Sequence, residues 1–126
     1  MRSGEAEAVA EQAHRGQVEP SGGPYIEHVR RVAESVPAGA ASVAWLHDVL
    51  EWTDLTEDDP ALAGLAPHER GALALLTRYG GDDDDRFLSH LWATTVARAA
   101  AGDIARAVKR ADMGDRRRRP RAPEAS

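Results

Sequence analysis

Alanine recurs along nearly the whole of this chain, and the β-branched residues scattered through it are too dispersed to build strands. Helices are the regular structure open to such a sequence, and glycine and proline decide where each one stops. A first helix is expected over about Gly4 to Gln17, then a Pro/Gly turn from Val18 to Pro24. Pro24 suits the first turn of a second helix, which carries Tyr25, Val29, Val32 and Val36 at helical spacing and ends at Pro37. A third spans about Gly39 to Trp52. An acidic loop, Thr53 to Pro60, and a short turn near Ala61 to Gly64 precede a fourth from Pro67 to Tyr79. Gly80-Gly81 breaks it, and Asp82 to Asp85 can cap a fifth that runs to about Ala101. Gly102-Asp103 restarts a sixth, which ends at Met113. The expectation is an all-α domain of about six helices over residues 1–113, with a disordered basic tail over 114–126.

A chain of 126 residues can bury a core as one domain without covalent staples. It has no cysteine, which excludes disulfides, thiolate metal sites and cysteine nucleophiles. Any metal must therefore be held by nitrogen and oxygen. No apolar run reaches the length of a membrane span, and the N-terminus has no signal-peptide core, so a cytoplasmic location is expected. Five of the 16 basic residues and two of the 21 acidic ones lie in 114–126, leaving 11 against 19, or −8, in the body. An acidic body argues against nucleic acid as a partner. A phosphorylated small molecule stays open, because a bound cation can dominate the local field. Nothing in the pattern fixes an oligomeric state.

Three of the expected helices carry polar residues on their inward faces. Tyr25, His28, Val32 and Val36 share a face of the second. Ala44, His47, Asp48 and Glu51 form a stripe on the third, and Ala101, Ile104, Ala105, Val108 and Asp112 form one on the sixth. Taken singly, each of these polar residues is an ordinary satisfied core group. Buried charges are costly unless paired or metal-bound, and two imidazoles and two carboxylates meeting at one point offset that cost by sharing a cation. His28, His47, Asp48 and Asp112 are the candidate ligands, a set suited to Mn²⁺, Fe²⁺ or Zn²⁺. The arginine run Arg116 to Arg119 reads as a solvated tail, Asp82 to Asp85 as a cap, and Trp45, Trp52 and Trp92 as core, with the alternative that Trp52, next to Glu51, fills part of a pocket. His68 and His90 have no partner assignable from spacing.

Three ordered motifs resemble the HD superfamily of metal-dependent phosphohydrolases. More narrowly they resemble the RelA/SpoT-type (p)ppGpp hydrolase domain and its small stand-alone relatives. Ala13-His14-Arg15-Gly16-Gln17 with Ser21-Gly22-Gly23-Pro24-Tyr25-Ile26-Glu27-His28 is similar to the first motif, and Ala44 to Thr53, with His47-Asp48 inside it, to the second. Ala107-Val108-Lys109-Arg110-Ala111-Asp112 is similar to the third, and Leu75-Leu76-Thr77 falls where the family often has a Leu-Thr pair. The likeness covers about residues 6 to 113. It implies a compact HD-type helical bundle acting as a guanosine-3′,5′-bis(diphosphate) 3′-pyrophosphohydrolase or on another nucleotide. It also implies Mn²⁺ on His28, His47, Asp48 and Asp112, with Glu51 as the catalytic carboxylate. Tyr25 and Lys109 are the candidate substrate-binding residues.

The chain departs from that family at four places. Trp52 stands where the Glu-Asp pair has its aspartate, and Arg116 where an asparagine is usual. Val18-Glu19-Pro20 replaces a basic loop, and Glu19 is expected to work against a highly charged nucleotide. The family continues for several helices past its last aspartate, whereas this sequence stops soon after Met113. The resemblance therefore carries two functional expectations: a metal-dependent phosphohydrolase, or a degenerate relative that binds metal or nucleotide without turnover.

Overall fold

A computed structural model describes residues 1–79 and 99–119. Its helices are α1 (Ser3–Ala13), α2 (Tyr25–Glu34), α3 (Ala41–Leu46), α4 (Val49–Trp52), α5 (Pro67–Tyr79) and α6 (Ala99–Arg118). Single 3₁₀ turns at Ala38–Ala40 and Pro60–Leu62 join them, and there is no strand among the described residues. The fifth expected helix as far as residue 98, the Asp82 to Asp85 run, His90 and Trp92 lie outside those residues.

Helix α3 is the hub, packing against α1, α2, α5 and α6. Its sequence explains this: Ser42, Val43, Ala44, Trp45 and Leu46 are all buried. Helix α1 meets it through Ala6 and Ala10, one helical turn apart and fully buried, whose small side chains let the two backbones approach. Helix α2 contributes Val29 and Val32, α5 contributes Ala72, Leu73, Leu75 and Leu76, and α6 contributes Ala101, Ala105 and Val108. A Cβ on Gly71 would stand 3.2 Å from the Ala101 side chain, so this glycine permits the close approach of α5 and α6. Among the described residues, no helix is long and apolar enough to cross a membrane.

Three departures from the expected helices shape the site. Helix α1 ends at Ala13 rather than Gln17, because Gly16 takes a left-handed φ of 84° and turns the chain. The next turn closes through the Glu19 N–H on the Gly23 carbonyl at 2.8 Å and the Tyr25 N–H on the Gln17 carbonyl at 2.8 Å.

The expected third helix is broken at His47-Asp48 into α3 and α4. An uninterrupted helix would offer the Ala44 carbonyl to the Asp48 N–H. Here the His47 ring takes that carbonyl through Nδ1 at 2.6 Å.

The last helix neither restarts at Gly102-Asp103 nor stops at Met113. It runs unbroken to Arg118, so residues 114–118 of the expected tail are helical. Asp115 ties that extension to α2, and arginines in the last turn match the negative end of the helix dipole. The tryptophans also divide: Trp45 is core, while Trp52 is 57% exposed rather than packed.

A candidate metal centre

His28, His47, Asp48 and Asp112 come from α2, the α3–α4 break and α6, and all four are buried. Each offers one donor atom, and the four atoms lie within 4.8 Å of one another. His28 Nε2 is 2.8 Å from Asp112 Oδ1 and 3.9 Å from Asp48 Oδ2. His47 Nε2 is 3.0 Å from Asp48 Oδ2 and 3.4 Å from Asp112 Oδ1. Metal–ligand bonds of about 2.0–2.2 Å place neighbouring ligands roughly 3.0–3.5 Å apart.

The tautomers make the stronger case. With its proton on Nδ1, His47 donates to the Ala44 carbonyl, and its Nε2 lone pair faces the carboxylates. Nε2 is buried and has no hydrogen-bond partner, with the Asp48 oxygen 3.0 Å away. His28 repeats the arrangement: Nδ1 meets Asp115 Oδ2 at 2.7 Å and Nε2 meets Asp112. A histidine held from behind at one nitrogen, with the other aimed at carboxylate oxygens, is how ligating imidazoles are oriented. The residues fit a divalent cation with nitrogen and oxygen ligands.

An outer layer of alternating charge supports the cluster. Arg31 Nε donates to Asp115 Oδ1 at 2.7 Å, and its Nη2 donates to Glu19 Oε1 at 2.7 Å. Ser21 Oγ also donates to Glu19. Glu19 is thus buried and paired with Arg31. The Tyr25 hydroxyl donates to Asp48 Oδ2 at 2.5 Å, which places this candidate substrate contact on a candidate metal ligand. His14, whose ring lies tilted 5.0 Å from that of Tyr25, is buried with Nδ1 on Gln17. Sequence reasoning missed Asp115 and Arg31. Asp115 lies one turn beyond Asp112, a signal visible only once the tail is recognised as helix.

The electrostatics arise from this packing. Burial pushes the His47 pKa down, but Asp48 and Asp112 outweigh it and hold it well above the ordinary value. Burial pushes Asp48 up, and His47 and Tyr25 prevail, taking it down to about 2. Asp112 goes further down: its burial is overcome by His28, His47 and Arg116. Beside the cluster lies a cleft of about 530 Å³ whose lining includes Glu51, Trp52, Lys109, Met113, Arg116 and Arg117. Glu51 is exposed there, its carboxyl raised by partial burial and then by the charge of Asp48.

Replacing Asp115 with asparagine removes the negative charge that holds His28 Nδ1 and leaves only a neutral amide in its place. Outer partners of this kind are worth about 10–100-fold in metal affinity. Asp115→Asn is expected to weaken Mn²⁺ binding by about that factor, read by calorimetric titration. An unchanged affinity would show that His28 needs no such support.

No family model matches this chain, and no curated protein matches its sequence.

Proposed function

We propose that this protein is a divalent-metal-dependent phosphohydrolase of the HD type, acting on a nucleotide substrate of the (p)ppGpp class or a relative of it. The observation that carries the reading is the set of four clustered buried donor atoms, three of them (on His47, Asp48 and Asp112) from residues lining a cleft with both carboxylate and cationic walls. Mn²⁺ is the proposed metal, held by His28, His47, Asp48 and Asp112. When bound, such a cation supplies Lewis acidity, lowering the pKa of a water and polarising a phosphoryl oxygen. Glu51 is the nearby proton acceptor, and its raised carboxyl suits that role. Lys109, Arg116 and Arg117 on α6 give the cleft a positive wall for phosphates. Trp52, exposed at the same cleft, offers an aromatic face on which a base can stack.

One observation favours a second reading, a protein that binds metal and nucleotide without turnover. Trp52 takes the place of a second carboxylate beside Glu51, so this pair supplies one carboxylate where the family motif has two. A single assay separates the readings. Metal-stripped protein is incubated with Mn²⁺ and ppGpp, beside a panel of other nucleotides, and phosphate or pyrophosphate release is measured. Release that requires Mn²⁺ and Glu51 supports the hydrolase. Binding of Mn²⁺ with no release across the panel supports the second reading.

A further inference from the structure

Arg116 is a cation already present at the centre. It sits one helical turn beyond Asp112, and its Nε donates at 3.0 Å to Asp112 Oδ1. That oxygen also lies 2.8 Å from His28 Nε2 and 3.4 Å from His47 Nε2, so it is the one aimed into the cluster. Arg116 Nη2 stands 3.9 Å from Asp48 Oδ2, the other inward carboxylate oxygen. The guanidinium therefore touches the ligand set while its side chain remains 48% exposed, with open cleft on one side. A smaller cavity of about 150 Å³, lined by Tyr25, His28, Asp115 and Arg119, lies on its other side.

Charge sets how Arg116 responds to a bound metal. The two inward carboxylates carry two negative charges, and a divalent cation neutralises both. Asp112 Oδ1 then directs its electron density at the metal, and the Arg116 guanidinium loses its anion while gaining a like-charged neighbour. Its planar fork of N–H donors matches a phosphoryl group. The cleft it lines already carries Lys109 and Arg117.

We propose that Arg116 is a displaceable internal cation: it holds Asp112 in the metal-free centre and, when the metal binds, turns into the cleft as a phosphate-binding residue. This rests on the metal reading above and adds to it an order of binding, metal first and phosphate second.

The test uses the full chain, stripped of metal, as native protein, Arg116→Gln and Arg116→Lys, with circular dichroism as the check on folding. Mn²⁺ is titrated calorimetrically into each, and inorganic phosphate is then titrated into the metal-free and Mn²⁺-loaded forms. Arg116→Gln is expected to bind Mn²⁺ about two- to fivefold more tightly, the scale of a half-exposed ion pair removed as competitor. The loaded form of the same variant is expected to bind phosphate at least about tenfold more weakly than loaded native protein, with Arg116→Lys between them. Metal-free native protein should bind phosphate no better than metal-free Arg116→Gln. Native protein that loads Mn²⁺, with Arg116→Gln matching it for both ligands, overturns the role of Arg116 and leaves the metal reading standing. Failure of both proteins to load Mn²⁺ overturns both.

Discussion

Asp112→Ala protein is expected to fold and to lose stoichiometric Mn²⁺ binding. Asp112 Oδ1 is the common point of the cluster, within 2.8 Å of His28 Nε2 and 3.4 Å of His47 Nε2. Removing it takes away a ligand and half of the negative charge on the inward face. Even outer-shell partners cost about 10–100-fold, so loss of a direct ligand should exceed about 100-fold. The fold should survive, because the apolar core of α6 rests on Ala101, Ala105 and Val108, and the Asp115 contacts to α2 remain. Asp112→Asn, which keeps an oxygen donor without its charge, should fall between the two. Equilibrium dialysis with metal analysis, beside far-ultraviolet circular dichroism, reads both outcomes. A folded Asp112→Ala protein that retains one Mn²⁺ per chain would remove Asp112 from the site.

The second large effect is on stability. Ligand at a hundred times its dissociation constant stabilises the native state by about 2.7 kcal/mol. For a domain of this length that corresponds to a Tm gain of roughly 8–14 °C, reversed by a chelator.

The gain should depend on pH, with a definite sign. In the metal-free protein His47 is held well above its ordinary value of 6.5. Protonated His47 therefore stabilises the fold fully below that ordinary value, and the contribution is lost as pH rises through the higher folded value. Asp48 and Asp112 are depressed below their ordinary value of 3.8, so their contribution is already complete at neutral pH and does not change there. Mn²⁺ must replace the His47 proton, so binding releases it and strengthens as pH rises. The Tm gain from Mn²⁺ should thus be larger near pH 8 than near pH 6. Thermal scans with and without metal at the two values check this, and a gain that shrinks with pH would place His47 outside the ligand set.

The buried cluster of candidate ligands was legible in the sequence because helical periodicity points His28 and Asp112 inward, and because His47-Asp48 cannot face a core without a partner. The local conformation was not legible. An amphipathic stripe predicts one helix through Trp52, but the His47 ring takes the Ala44 carbonyl and splits it, a competition that periodicity does not register. The outer layer was hidden for another reason. Five arginines and two prolines make 114–126 read as solvated tail, yet Asp115 finds buried partners in His28 and Arg31, and tertiary contact extends the helix to it. Glu19 misled in the same way: it reads as free negative charge until Arg31, twelve residues on, closes over it. Trp52 shows the converse, an apolar residue whose chain position beside Glu51 leaves it at the open cleft.

The measurement closest to the central claim is a Mn²⁺ titration of metal-stripped native protein monitored by electron paramagnetic resonance. Free Mn²⁺ gives a sharp signal that is lost on binding, and pulsed spectra of the bound ion reveal coupled nitrogens. Saturation at one ion per chain, with two imidazole nitrogens coupled to it, is the expected result. A free-ion signal that grows from the first addition, or a bound ion with no nitrogen coupling, would contradict it.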